Sequence, residues 1–189
     1  MPQKAAPGLR DRILDTAAAL FYENGVRAVG MQQIINTAGC GKMLLYREFA
    51  GKSDLVVGYL GKAQVIWDDR VRRVAAGAGG PEAQLIALIT AVVEQVGESG
   101  YRGCPFRNHL TEFSDHSDEA GQIAVTFLRD MRARVSELVH QLALAHPGAV
   151  ADQIWLIIEG LYGVSARLDG DEAVNSAIPL VRHLVQQTS

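Results

Sequence analysis

Cysteine is nearly absent from this chain. Only Cys40 and Cys104 occur in 189 residues, too few for the disulfide framework of a small secreted domain. Aromatic residues make up just 6%, and no apolar run approaches the length of a membrane-spanning helix. The opening segment, Met1 to Gly8, lacks the apolar centre of a secretion signal, so a cytoplasmic location is expected. Also missing are alternating strand patterns, internal repeats, low-complexity tracts, a phosphate-binding glycine loop, a dinucleotide fingerprint and a nucleophile with a recognisable base. The chain is therefore expected to be no enzyme, with no cofactor and no bound metal.

What is present is helical periodicity, in a chain that is 48% hydrophobic and long enough to bury a substantial core. Ile13, Ala17, Leu20 and Phe21 recur at helical spacing, and Glu23-Asn24-Gly25 supplies a stop in which glycine takes a left-handed conformation. Met31, Ile34, Ile35 and Ala38 form a second apolar stripe two turns long. Gly39 frees the backbone for a sharp turn, and another short helix begins near Gly41. On that helix, at about 100° per residue, Leu45 and Phe49 fall on one side and Met43 and Arg47 on the other, with Lys42 and Tyr46 flanking. One side packs and the other stays open, on a helix of the size that enters a DNA major groove. The expected fold class is all-α: a three-helix N-terminal head with a helix-turn-helix over residues 1–52, then a helical body over 53–189. Double-stranded DNA is the expected partner.

The net charge of −3 is unevenly spread. Residues 1–60 carry seven Lys/Arg against five Asp/Glu, a net of +2, while the rest carries eleven against sixteen, a net of −5. A mildly basic head presented twice is compatible with DNA, although solvation charge alone accounts for the same asymmetry.

The body reads as amphipathic helices. Ser53, with Asp54 behind it, is placed as the N-cap of a long helix containing Leu55, Tyr59, Ile66 and Trp67. Gly77 to Gly80 ends it, and Pro81 opens the next, with Leu85, Leu88, Ile89, Val92, Val93 and Val96. A short helix is expected near 105–113, another from Asp118 that stops at His146-Pro147-Gly148, and two more over about 149–168 and 171–187, where Pro179 is expected to kink or restart the last one.

Residues from about 9 to 60 resemble the DNA-binding head of the TetR family. Ile13, Ala17, Leu20, Phe21, Gly25, Ile34, Ala38-Gly39, Lys42, Leu45-Tyr46, Phe49 and Lys52 stand where that family's pattern expects them, and Tyr101 to Asn108 is similar to a segment of one branch. The departures are Gly30 and Gly41, where many members carry Ser or Thr caps, Ile35 in place of alanine, Leu44 in place of a hydroxyl residue that touches phosphate, and Glu48 in place of histidine. Each of the two glycines and Leu44 loses a side-chain oxygen, but glycine caps nearly as well as threonine. Placement on the open side of the second motif helix, or at the start of the next, makes Lys42, Tyr46, Arg47 and Lys52 the expected DNA contacts, with Met43 and Leu44 as apolar ones.

The resemblance implies a ligand-responsive transcriptional regulator, a repressor that binds a palindromic operator as a homodimer and is released by a small-molecule effector. Candidate pocket residues are Trp67, Cys104, Phe106, His109, Phe113, Phe127 and Trp155. The candidate dimer interface is Ile154, Ile157, Ile158, Gly160, Leu161 and Leu184, with Gly163, Ser165, Leu180, Val181 and Val185 nearby; the same residues also suit plain core packing. Two smaller readings stand beside these. His109, Glu112 and His116 have spacings that gather a metal, although a solvated polar loop accounts for them better. Cys104 near Arg102 and Arg107 has neighbours that suit redox sensing, while a buried structural thiol is the plainer role. The alternative function is a helical enzyme or small-molecule-binding protein without DNA function, and a salt-dependent shift of promoter DNA separates the two classes.

Overall fold

The computed structural model describes residues 8–164 and 171–186. Among these residues there are nine α-helices and no strand. They are α1 Leu9–Asn24, α2 Met31–Ala38, α3 Lys42–Glu48, α4 Lys52–Val74, α5 Gly80–Val96, α6 Pro105–Glu112, α7 Glu119–His140, α8 Pro147–Val164 and α9 Asp171–Gln186. Contacts group them into two units. The first holds the described residues up to Val65 together with Pro105–Thr126, and the second holds Ile66–Cys104 with the described residues from Phe127 on.

In the first unit the apolar stripes meet as their spacing requires. Leu9, Ile13, Ala17 and Phe21 of α1, Ile34, Ile35 and Ala38 of α2, and Leu45 of α3 are buried. Phe49, Leu55, Val56, Tyr59 and Leu60 extend this core, and Phe21 meets Tyr59 ring to ring at 5.9 Å. The two elements of the motif are joined by a Schellman turn: Gly39 is left-handed (φ 59, ψ 40), Cys40 N–H donates to the Ile35 carbonyl at 3.2 Å and Gly39 N–H to that of Asn36 at 3.3 Å. Such a turn satisfies two carbonyls that the end of α2 leaves unpaired. Gly58 marks a close approach of α4 to α1, since a Cβ there would lie 2.7 Å from Leu14 Cδ1. Lys62 and Asp15 form an ion pair across the same two helices.

The second unit is organised around α5, whose Leu85, Ile86, Ala87, Leu88, Ile89, Ala91, Val92 and Val96 are buried. It packs on α8 and α9, which also pack on each other. Phe127, Met131, Val135, Leu138 and Val139 form the inner face of α7, and Trp67 meets Phe127 edge to face at 6.2 Å.

Several local expectations need correction. α4 begins at Lys52 rather than after Ser53. Asp54 shapes its entry, accepting the Ala50 N–H at 2.8 Å in the manner of an acidic third residue reaching back past the helix start. Gly25 has a positive φ of 83 but an extended ψ of 152, so α1 does not end in the left-handed region. Pro147 opens α8, with the Val150 N–H bonded to the His146 carbonyl at 3.2 Å, so the stop for α7 lies earlier, at His140; proline suits a first helical position because its missing N–H has no partner there. Pro179 neither ends nor restarts α9, which continues through it. Its residue is exposed, so the carbonyl it deprives of a donor can take water, while buried Ala177, Val181 and Val185 hold the helix on both sides.

Candidate nucleic-acid interface

The open face of α3 is the face that periodicity places outward. Leu45 and Phe49 are buried, whereas Lys42, Met43, Tyr46 and Arg47 are exposed, Met43 at 87% and Tyr46 at 43%. Leu44 is half-buried. Gly41 caps the helix in an extended conformation with no side-chain hydrogen bond, and the Leu44 and Leu45 N–H groups bond to its carbonyl at 2.9 and 3.1 Å. Arg10 of α1 lays its guanidinium over the Phe49 ring at 4.3 Å, a cation–π contact that ties α1 to the end of the motif.

The cations here are not idle. Arg47 donates through Nε and Nη2 to Glu48 Oε1 at 3.2 and 3.1 Å, so the acidic departure at Glu48 compensates the adjacent arginine. Lys52 is half-buried, and its Nζ reaches the Arg27 carbonyl at 3.5 Å.

Sequence reasoning missed the way this surface is fixed. Glu112 of α6 accepts the backbone N–H of Val26 at 2.9 Å and that of Arg27, clasping the connection between α1 and α2. The Arg27 guanidinium stands over the Phe113 ring at 4.9 Å. With a separation of 86 residues, no local signal announces the pairing. It also disposes of the metal reading: the Glu112 carboxylate serves amides, and no group of three or more metal-ligating side chains occurs among the described residues.

The pocket candidates are distributed. His109 and Phe113 stack at 4.9 Å and share a cavity of about 280 Å³ in the first unit. His109 is 3% exposed, neither ring nitrogen has a hydrogen-bond partner, and burial pushes its pKa below the ordinary value although the Asp118 and Glu112 charges pull it up. In the second unit Trp67 and Phe127 pair with each other, Trp155 lines a groove of about 510 Å³ with Leu128, Arg129, Arg132, Ala133 and Ser136, and Cys104 is buried. Phe106 is buried in the first unit.

The dimer candidates divide in two. Ile154, Ile158 and Leu161 are buried within the single chain, as are Val181 and Val185, so they are core and do not form an outer surface. Gly160 and Gly163 are exposed, Ile157 and Leu184 are half-buried, and beside them stand Leu156 at 68% and Leu180 at 45% exposure. Ser165 lies outside the described residues.

A three-helix head with a Schellman-turned pair and an open basic–aromatic face is the form of a helix-turn-helix. Residues 13–58 match the family model described as bacterial regulatory proteins, tetR family. The head of this chain is of the TetR type. A relative of Rhodococcus jostii, the HTH-type transcriptional repressor KstR2, is 34% identical over 95 residues, covering 49% of this chain and 45% of the repressor. The chain spans 62% or less of the length of the curated relatives it matches. Among solved structures, a TetR-family transcriptional regulator from Streptomyces coelicolor superposes with a TM-score of 0.88 at 24% identity, covering 96% of each chain. AibR, solved in complex with isovaleryl coenzyme A and operator DNA, superposes at 0.71 with 16% identity, covering 92% of this chain and 97% of its own. The fold of a TetR-family chain thus extends over nearly the whole of this one. Among the described residues no helix is long and apolar enough to cross a membrane.

Proposed function

We propose that this chain is a TetR-family, ligand-responsive transcriptional regulator, a cytoplasmic repressor that holds a palindromic operator as a homodimer and releases it when a small molecule binds. The division of labour is a reading head over 1–52 and an effector and dimerisation region over 53–189. The observation that carries the reading is the open face of α3: Lys42, Met43, Tyr46 and Arg47 all stand exposed opposite the buried Leu45–Phe49 seam. Lys42, Arg47 and Lys52 supply charge to phosphates or guanine edges, while Met43, Leu44 and Tyr46 supply contact to base methyls and sugars. A relative named as a repressor and a fold neighbour solved with both an acyl coenzyme A and operator DNA support the same reading.

For the dimer, the support is the exposure of Leu156, Gly160 and Gly163 at helical spacing on α8 and of Leu180 on α9, with Ile157 and Leu184 half-buried. Two-fold pairing through these residues matches the symmetry of a palindrome.

Footprinting on the DNA flanking its own gene tests the function, with a protected near-palindrome expected. On that site Lys52→Ala should weaken binding to all sequences and flatten the salt slope by about one unit, and Arg47→Ala, if it loses a base contact, should cost about 1–3 kcal/mol and relax one position. Unchanged affinity and salt dependence in both variants refutes this docking.

A further inference from the structure

The cavity beside His109 is built differently from the groove beside Trp155. Its wall combines Val26 and Arg27 from the α1–α2 connection, Lys52, Ser53 and Val56 from the first turns of α4, His109 and Phe113, and Asp118 and Ala120 at the start of α7. All of these belong to the first unit. His109 is almost wholly buried there with both ring nitrogens unpartnered. Leaving a buried donor and acceptor unmade is costly, and native structures seldom do so without a ligand or water to fill the position.

We infer that this cavity is a binding site for a small carboxylate with an apolar body, held by the His109 ring, Arg27 and Lys52. The wall carries Arg27 and Lys52 against Asp118, and the nearby Glu112 carboxylate, whose charge also acts on His109, is already engaged with the Val26 and Arg27 amides. Asp118 already accepts the Gly121 N–H at 2.8 Å as the cap of α7, whereas the Lys52 ammonium has only its 3.5 Å reach to the Arg27 carbonyl among the bonds at this site. An amine placed here would meet two like charges; a carboxylate meets two opposite ones and charge-assisted hydrogen bonds. The buried imidazole is neutral near pH 7 because desolvation outweighs the pull of Asp118 and Glu112, so it offers one N–H to an acceptor. Val26, Val56, Phe113 and Ala120 then contact the apolar body. At about 280 Å³ the space lies just under the ~300–1,000 Å³ usual for ligand pockets, which limits the occupant to something of the size of a substituted benzoate or a short-chain acid. Lys52 is also one of the proposed DNA contacts, so an occupant here and a phosphate draw on the same ammonium, and the test is made without DNA.

The test is titration of the intact chain with benzoate, read from the His109 ring resonances in NMR spectra, with benzyl alcohol as the uncharged counterpart. Benzoate is expected to give saturable shifts at His109 and to bind ~10-fold or more tightly than benzyl alcohol, the scale set by one charge-assisted contact. Lys52→Met is expected to weaken benzoate by a similar factor at the same His109 resonances, and His109→Phe to weaken it likewise as read from broadening of the benzoate ring signals. Thermal melts establish whether His109→Phe is folded, and if it is not, the half-buried Lys52→Met decides. Absence of a saturable shift at His109, or benzoate binding unaltered in Lys52→Met, overturns the site. Equal affinity for benzoate and benzyl alcohol overturns its preference for an anion.

Discussion

Glu112→Ala removes a single side chain of α6 and with it the acceptor of two backbone N–H groups at Val26 and Arg27. Hydrogen bonds to a charged group contribute about 1.5–3 kcal/mol net, and a buried donor left alone bears the larger penalty. Val26 is buried and Arg27 exposed, so the first bond counts nearly in full and the second only in part, since water replaces it. The expected loss is about 2–4 kcal/mol, which for a chain of this size lowers the melting temperature by roughly 4–16 °C. Glu112→Gln keeps one carbonyl for one amide but turns its NH₂ toward the other, and should cost about 1–2 kcal/mol. Urea unfolding at unchanged slope measures the total, and hydrogen exchange at the Val26 amide localises it. A Glu112→Ala protein within about 0.5 kcal/mol of wild type, with the Val26 amide exchanging as before, would refute the clasp; surface substitutions commonly stay inside that range.

Three further outcomes follow from the same geometry. The folded pKa of His109 lies below its ordinary 6.5, so the unfolded chain binds the proton more readily; stability contributed by this group is complete above about pH 6.5 and declines as pH falls, by at most ~1.4 kcal/mol per unit, and His109→Phe should remove that slope from urea melts run between about pH 5 and 8. Gly58→Ala should be nearly neutral in thermal melts, because Leu14 Cδ1 at 2.7 Å is the end of a side chain able to turn away and alanine adds up to about 1 kcal/mol of helix propensity, whereas Gly58→Leu should cost about 1–3 kcal/mol by overpacking. Gly160 has nothing within 4 Å of a Cβ in the single chain, so Gly160→Leu should leave chain stability intact while weakening self-association; sedimentation identical to wild type at every concentration would remove Gly160 from the interface.

The head was legible because its residues do one thing each. Ile13, Ala17 and Phe21, then Ile34, Ile35 and Ala38, then Leu45 and Phe49, fall at spacings that only a helix turns to one side, and all are buried. The outward placement of Met43 and Arg47 is the complement of that rule. The last two helices were less legible for a physical reason: an apolar stripe looks the same whether its partner is the chain's own core or another copy. Ile154 and Ile158 are buried in the single chain's core, while Leu156, about half a helical turn from each, stands outside. Proline misled because its cost depends on position, slight at the first residue of α8 and offset by packing on both sides in α9. The clasp at Glu112 and the lone ring of His109 depend on segments some eighty residues apart, beyond the reach of any local pattern.

The first unit is discontinuous along the chain, being interrupted by Ile66–Cys104. During synthesis, which proceeds at about 5–20 residues per second, the three helices of the head and the start of α4 emerge well before α6. For those seconds the amides of Val26 and Arg27 have water as their partner, because Glu112 has yet to be made. A head cut after Val65 is fixed permanently in that early condition. It keeps every residue of the α3 surface and lacks the clasp, so it reports on what the reading helix recognises but not on how firmly the intact chain holds it.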